Sequence, residues 1–151
     1  MYKIILAISE DGFIADSTGN IPWYIPHDLK WFKMNTYKSS IVMGRKTWET
    51  FKKPLSDRQN IILSRGGKSG VIQLYSVNET YDYFENNEGW IIGGTIAENF
   101  YRKGTLLYLT HVHMNVNNGT FLNLPDMKTI WKSKTFSQNG YMYTFTINII
   151  I

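Results

Sequence analysis

One carboxylate, Asp28, stands among Trp23, Ile25, Leu29, Trp31 and Phe32. An acid surrounded by apolar and aromatic side chains is costly to ionise unless something hydrogen-bonds it, so it marks a pocket floor. Further on, Met43-Gly44-Arg45-Lys46-Thr47 ends a short apolar run and opens a helix. A helix start with two cations is the sort of place that receives phosphate. An acid in an apolar pocket and a cationic helix start imply two ligands meeting, which points to an enzyme.

A second turn of the same kind, Ile92-Gly93-Gly94-Thr95, also follows an apolar strand and opens a helix. Ligands of open α/β sheets bind at the carboxyl ends of strands, and glycine permits close backbone approach. Two such turns suit the phosphates of one dinucleotide, although neither is a Walker A loop or a full Gly-x-Gly-x-x-Gly. Ser64-Arg65 ends the next strand on from Arg45. A hydroxyl and two guanidiniums there suit a dianionic phosphate; a water-bathed surface cluster is the equal alternative. His27, His111 and His113 are expected to be ordinary histidines rather than metal ligands, because no carboxylate falls near the His111-x-His113 pair in sequence. No Ser/His/Asp nucleophilic arrangement is visible. Lys30-Trp31-Phe32-Lys33 interleaves aromatics with cations as single-strand nucleic-acid binders do. At helical spacing, however, Trp31 and Phe32 face opposite sides with Phe32 inward, and no nucleic acid is expected.

These residues need a scaffold. Tyr2 to Ile8 reads as a buried strand, and Ser9 to Tyr24, rich in Gly, Asp, Ser, Asn and Pro, as one long loop. Pro26-His27-Asp28 opens a helix that continues to Thr36. Ser40 to Met43 is a strand ending at Gly44, and Arg45 to Phe51 a short helix that Pro54 stops. Asn60 to Ser64 is a strand, Arg65 to Gly70 a turn, Val71 to Tyr75 a strand and Ser76 to Phe84 a helix supported by Glu79. Trp90-Ile91-Ile92 is a strand, Thr95 to Tyr101 a helix, Leu106 to Val112 a strand and Asn115 to Asn123 a polar turn region. Thr129 to Ser137 and Tyr141 to Ile149 form a terminal antiparallel hairpin around Asn139-Gly140. The alternation describes an open, mostly parallel α/β sheet with helices on both faces and a C-terminal hairpin.

Bulk properties agree. The chain has 151 residues, 43% hydrophobic and 19% charged, which suits a single globular domain over residues 1–151. The absence of cysteine excludes disulfides, Zn-thiolate sites and cysteine nucleophiles. Ile4-Ile5-Leu6-Ala7-Ile8 is far too short to span a membrane, so no membrane partner is expected and the default location is cytoplasmic. A net charge of +4 suits an anionic ligand, but no dense cationic stripe marks a nucleic-acid surface. No interface stripe is evident, and a monomer is the default.

Taken together, these residues resemble the dihydrofolate reductase family. The resemblance is carried by Ile21-Pro22-Trp23, Asp28-Leu29 with Phe32-Lys33 and Thr36, Met43 to Glu49, Pro54-Leu55 with Arg58, Asn60 to Arg65, Ile92-Gly93-Gly94 and Leu107-Tyr108-Leu109-Thr110, all in order. It covers essentially the whole chain. It implies NADPH-dependent reduction of 7,8-dihydrofolate to tetrahydrofolate, hydride to C6 and proton to N5, in support of one-carbon metabolism and thymidylate and purine synthesis. It also implies that Asp28 accepts hydrogen bonds from the pterin N3 and 2-amino group, that Thr110 braces that carboxylate, and that Trp23 holds an ordered water and closes the pocket. The N5 proton then arrives through water or from Asp28. Ile5, Leu6, Leu29, Phe32, Thr50, Phe51 and Leu55 are implied as the walls of the substrate site, with Arg58 clamping the glutamate α-carboxylate. Ala7, Ile14 and Ile92 are implied at the nicotinamide. Gly44, Arg45, Lys46, Thr47 and Leu63 are implied along the cofactor, Ser64 and Arg65 at its 2′-phosphate, and Gly93, Gly94, Thr95 and Ile96 at the pyrophosphate. Gly93-Gly94 matches a cis-linked pair, and Ser9 to Asn20 a mobile lid.

The chain departs from the family pattern in four places. One residue is missing after Gly94, and Ala97 stands where an active-site tyrosine is common. Asp16 to Gly19 reshapes the lid, and Asp11 to Asp16 also resembles the reductase domain of riboflavin synthesis. Asn115 to Asn123 lacks an acid that often steadies the lid, and the chain is short. Two other readings are set against the first: an NADPH reductase for a pyrimidine or another pterin, which has no need of Arg58, and a non-enzymatic binding protein, which has no need of Trp23, Asp28 and Thr110.

Overall fold

The first apolar run ends up at the centre of the molecule. The computed structural model describes residues 1–66 and 71–151, and in it β1 (Tyr2–Ser9) pairs in parallel with β6 (Gly89–Ile91) on one side and β7 (Leu106–Val112) on the other. Beyond β6 lie β3 (Ser40–Gly44), β4 (Gln59–Leu63) and β5 (Ile72–Leu74). Beyond β7 lie β10 (Tyr141–Ile150) and, at the edge, β9 (Met127–Gln138), both antiparallel. Among the described residues the sheet has eight strands in the order β5-β4-β3-β6-β1-β7-β10-β9. The β9–β10 hairpin turns on Asn139 and Gly140, both at positive φ, as an Asn-Gly hairpin requires. The expected turn at Arg65 to Gly70 is described only as far as Gly66.

Helices cover both faces. On one, α3 (Val77–Glu85) and a 3-10 helix (Thr95–Phe100) enclose Ile4, Leu6, Ile8, Leu107 and Leu109 with Phe84 and Phe100. The 3-10 helix corrects the regular helix expected after Gly94. On the other face, α1 (Pro26–Thr36) and α2 (Arg45–Thr50) set Trp31, Phe32 and Trp48 against Ile5, Ile41, Met43, Trp90 and Ile92. A third cluster, Trp23, Ile25, Val112, Tyr143 and Phe145, closes the end of that face. The α3 start is capped by Ser76, whose Oγ accepts from Glu79 N at 3.1 Å, while the Glu79 carboxylate reaches back to accept from Tyr75 N, one residue before the cap, at 2.6 Å. Such a cap contributes about 1 kcal/mol.

Two local expectations are corrected. Ser9 to Tyr24 is not all loop, and Asn115 to Asn123 is not all turn. Phe13–Asp16 forms β2, Gly119–Phe121 forms β8, and the two pair as a small antiparallel ribbon. Gly12 enters it at φ 92, where any Cβ would meet the Phe121 ring. Trp31 is likewise not turned outward: its ring stacks on Phe145 (4.5 Å between centroids) and on Trp131 (5.8 Å). Because α1 crosses the sheet end, the side of the helix opposite Phe32 still meets β9 and β10. Each stacked pair adds about 0.5–1.5 kcal/mol beyond area burial.

The β2 ribbon is fastened by an acid in the turn between β1 and β2. Asp11 carboxylate oxygens accept from Val116 N (3.0 Å), Asn117 N (2.8 Å) and the Ser9 hydroxyl (2.6 Å). Burial works to raise the Asp11 pKa, but these hydrogen bonds outweigh it and hold the carboxyl below its usual range. The clasp is therefore complete above the unfolded carboxyl value near 3.8 and is lost as pH falls through the depressed folded value. Asp11→Asn is expected to raise amide exchange at Val116 and Asn117 selectively, while exchange in β1 and β7 is unchanged; uniform acceleration would contradict a local clasp.

Candidate active site

Asp28 is delivered by the first turn of α1, whose start has no side-chain cap from Ile25. The free N–H of His27 is instead taken by Gln138 Oε1 at 2.8 Å, which ties the helix start to the end of β9. From there the half-buried Asp28 reaches β7, where the Thr110 hydroxyl donates to Oδ1 at 2.6 Å. Thr110 is buried and shares its sheet face with Tyr108 and Val112, so the acid sits where the second and third apolar clusters meet. Burial pushes the Asp28 carboxyl above its ordinary value, against the lowering effect of the Thr110 hydrogen bond. The site holds an acid that takes a proton more readily than an exposed carboxylate does.

Several of the residues expected at the two ligands pack into the same apolar clusters. Ile5 and Ile92 are buried, with Phe32, Phe51 and Leu55 packed against the same cluster, and Trp23 is buried beside Ala7 in the neighbouring one. Leu29 and Thr50 are exposed and can serve only at the rim. Leu6 is corrected: successive strand side chains alternate, so Leu6 belongs with Ile8 and Leu109 on the opposite face, and its side chain is not in the wall with Ile5. Ile14, on β2, also packs toward that opposite cluster. Arg58 is oriented by Ser56 O (2.8 Å from Nε) and Thr36 Oγ1 (3.3 Å from Nη1), with its guanidinium over the Phe32 ring at 5.9 Å. These contacts leave Nη2 N–H groups for a carboxylate.

A second concavity is built at the strand ends. Gly93 and Gly94 lie against Thr47, whose Oγ1 would sit 3.3 Å from a Cβ at either position. Gly94 adopts φ 71, so a side chain there is both crowded and strained. The Gly93–Gly94 peptide expected to be cis is trans. Gly44, beside Leu63 in register, lies against Ile96, which brings the two turns together. Arg45 Nη1 donates to Ser64 Oγ at 3.4 Å and to Gly66 O, and its Nε lies 3.5 Å from Glu49. Lys46, Arg65 and Thr95 are exposed around this cluster. Bare backbone between Thr47 and the glycines, with cations alongside, fits a dinucleotide's phosphates. Ala97 is fully buried with Phe100, so this position supplies core packing and no phenol.

The dihydrofolate reductase family model matches residues 1–149. The chain belongs to the dihydrofolate reductase family. A dihydrofolate reductase from Buchnera aphidicola (subsp. Acyrthosiphon pisum) is 36% identical over 96% of both chains, and that of Haemophilus influenzae is 32% identical over 80% of this chain and 77% of its own. Among solved structures, dihydrofolate reductase from Enterococcus faecalis, complexed with NADP(H) and RAB-propyl, superposes with a TM-score of 0.86. It is 28% identical and covers 99% of this chain and 95% of that one. The family's reaction, NADPH-dependent reduction of dihydrofolate to tetrahydrofolate, is the activity of this chain.

Two features of the chain were not legible in its sequence. His113 does have a carboxylate neighbour, Glu10, 3.0 Å from its Nδ1, brought in by β1–β7 pairing. His111 is half-buried on Thr146, and burial with the nearby His113 and Lys132 charges pushes its pKa down. Among the described residues no three acids or histidines cluster as a metal site.

Proposed function

We propose that catalysis by this chain centres on Asp28, and the carrying observation is its 2.6 Å hydrogen bond from Thr110 beside the apolar clusters. Asp28 accepts from the pterin N3 and 2-amino group, and its burial favours the state in which the pterin–acid pair holds a proton. Thr110 spends its only O–H on Oδ1, which fixes the carboxylate plane and leaves Oδ2 for the pterin. Ile5, Phe32, Phe51 and Leu55 exclude water from the ring, Trp23 closes the pocket, and Arg58 takes the glutamate α-carboxylate. Bound NADPH supplies the hydride to C6. Thr47, Gly93 and Gly94 receive its pyrophosphate, Ala7 and Ile92 its nicotinamide end, and Arg45 with Ser64 and Arg65 its 2′-phosphate. A single-domain monomer and a cytoplasmic location remain the default readings of this chain.

The direct test is dihydrofolate-dependent loss of NADPH absorbance by the folded protein. Loss independent of dihydrofolate would transfer the site to another acceptor. The cofactor half is tested by Arg45→Ala, which removes the guanidinium that Ser64 helps to hold. KM for NADPH is expected to rise about tenfold, a charge-assisted bond weakened by solvent. KM for NADH should hold. Parallel rises for both cofactors would remove Arg45 from the 2′-phosphate.

A further inference from the structure

The sheet face opposite Asp28 turns polar toward its antiparallel end. Beside His111, Leu109 and Leu107 of β7 stand Thr144, Thr146 and Asn148 of β10, and beyond them Lys132 and Thr129 of β9. Over this floor lies a cavity of about 680 Å³, room enough for a small organic molecule. Ile8, Phe121, Leu122 and Leu124 give it an apolar side, of which Phe121 and Leu124 are exposed. A chain of hydrogen bonds fixes how His111 presents its proton. Asn148 Nδ2 donates to Leu107 O (3.1 Å) and to Thr146 Oγ1 (2.9 Å), and its Oδ1 accepts from Thr129 (2.6 Å). Among the described residues the Thr146 hydroxyl has one other partner, His111 Nε2 at 2.9 Å, so its proton goes there. Burial, with the His113 and Lys132 charges, holds the His111 pKa down, and a neutral imidazole that accepts at Nε2 carries its proton on Nδ1. That N–H has no partner among the described residues, on a side chain that lines the cavity. The acids of the lining are already engaged, Glu10 by His113 Nδ1 (3.0 Å) and Asp11 by Val116 N and Asn117 N. His113 Nε2 is taken by Thr144 (2.9 Å). Lys132 is exposed and has no ion-pair partner among the described residues.

We propose that this cavity is a second ligand site, on the sheet face away from the reaction, and that it takes a small aromatic carboxylate. The Lys132 ammonium and the His111 Nδ1–H receive the anion, and Phe121 and Leu124 take the ring. One cation and one neutral donor match a single negative charge. A dianion would set a second charge near Glu10 and Asp11, whose side chains line the same cavity. An apolar body is called for because a fully hydrated anion would leave the exposed Phe121 and Leu124 side chains in water. The titratable groups that line the cavity are Glu10, Asp11, His111, His113 and Lys132. His111 donates while neutral, so binding does not wait for its protonation.

The test is an amide NMR titration with benzoate, on protein saturated with NADP⁺ and folate so that the site of the reaction is filled. Saturable shifts are expected at His111, Phe121, Leu124 and Lys132, with the amides of α1 unmoved. Benzyl alcohol keeps the ring without the charge, and acetate keeps the charge without the ring. Each is expected to bind about tenfold more weakly than benzoate. Lys132→Met and Leu124→Glu alter exposed side chains, so both variants keep the core. The first is expected to weaken benzoate about tenfold, and the second, which sets a like charge in the apolar side, to abolish its shifts. Affinity is expected to be equal at about pH 7.5 and about pH 9, because a neutral imidazole already donates. A steep fall over that range would mean that His111 must be protonated, and it overturns the role given to Nδ1–H. Absence of saturable shifts overturns the proposal. So do shifts confined to α1, a Lys132→Met affinity equal to wild type, or either control binding as well as benzoate.

Discussion

Asp28→Asn is expected to lower turnover with dihydrofolate by about 10²–10⁴ at neutral pH while leaving NADPH affinity nearly intact. Asparagine keeps the size of the side chain and an oxygen for the Thr110 hydroxyl. It places an N–H₂ where the pterin presents its own donors, and it cannot carry the negative charge that favours a protonated pterin. The loss follows from charge and not from folding. Because burial raises the folded pKa, the stability associated with this group is present below the unfolded value near 3.8 and is lost as pH rises through the folded value. Asp28→Asn is accordingly expected to melt higher than wild type at neutral pH and to lose that advantage below about pH 4. Stopped-flow rates and thermal melts on one preparation check both halves. Unchanged turnover from neutral to high pH would remove Asp28 from its role.

Arg58→Leu is the second large effect, and it separates the two ligands. The guanidinium is already aimed by Ser56 O and Thr36 Oγ1, so little ordering is left when a carboxylate arrives. Leucine keeps apolar contact with Phe32 and removes the charge-assisted pair, a loss of roughly 2–3 kcal/mol. Dihydrofolate affinity should fall about 30- to 150-fold by fluorescence titration, with NADPH unchanged. A pterin lacking the glutamate should bind both proteins alike. Equal losses for folate and NADPH would refute the assignment. So would equal losses for dihydrofolate and the truncated pterin, and that second result would favour a substrate other than a folate.

What the sequence made legible was whatever is encoded locally. The Ser76/Glu79 cap, Pro26 at the start of α1, the stop before Pro54 and the Asn139-Gly140 turn each depend on a few adjacent residues, and each formed as expected. The order of strands and helices followed from the same signals. Asp28 and Thr110, 82 residues apart, met as the family resemblance implied, and no local rule would have joined them. The β2–β8 ribbon was hidden because its strands have four and three residues and sit among Gly, Asp and Asn, which read as loop. Asp11 was read as part of that loop because its partners are backbone N–H groups more than a hundred residues away. Leu6 was assigned to the wall together with its neighbour Ile5, although consecutive strand residues face opposite sides. The hydrogen bond between His27 Nδ1 and the Tyr143 hydroxyl (2.7 Å) depends on which face β10 turns to α1, and alternation within β10 does not set that.

The central place of β1 also governs how the chain is made. A ribosome releases this apolar strand ahead of the other strands of the sheet, yet both its neighbours, β6 and β7, come from residues 89–112. Until then, Ile4, Ile5, Leu6 and Ile8 have no sheet to join, and the emerging chain carries an unpaired apolar edge. The long loops that must close before β1 is paired favour slow, late assembly. A nascent chain halted before β7 would accordingly present β1 to chaperones, and Asp28 would still lack the hydroxyl that braces it.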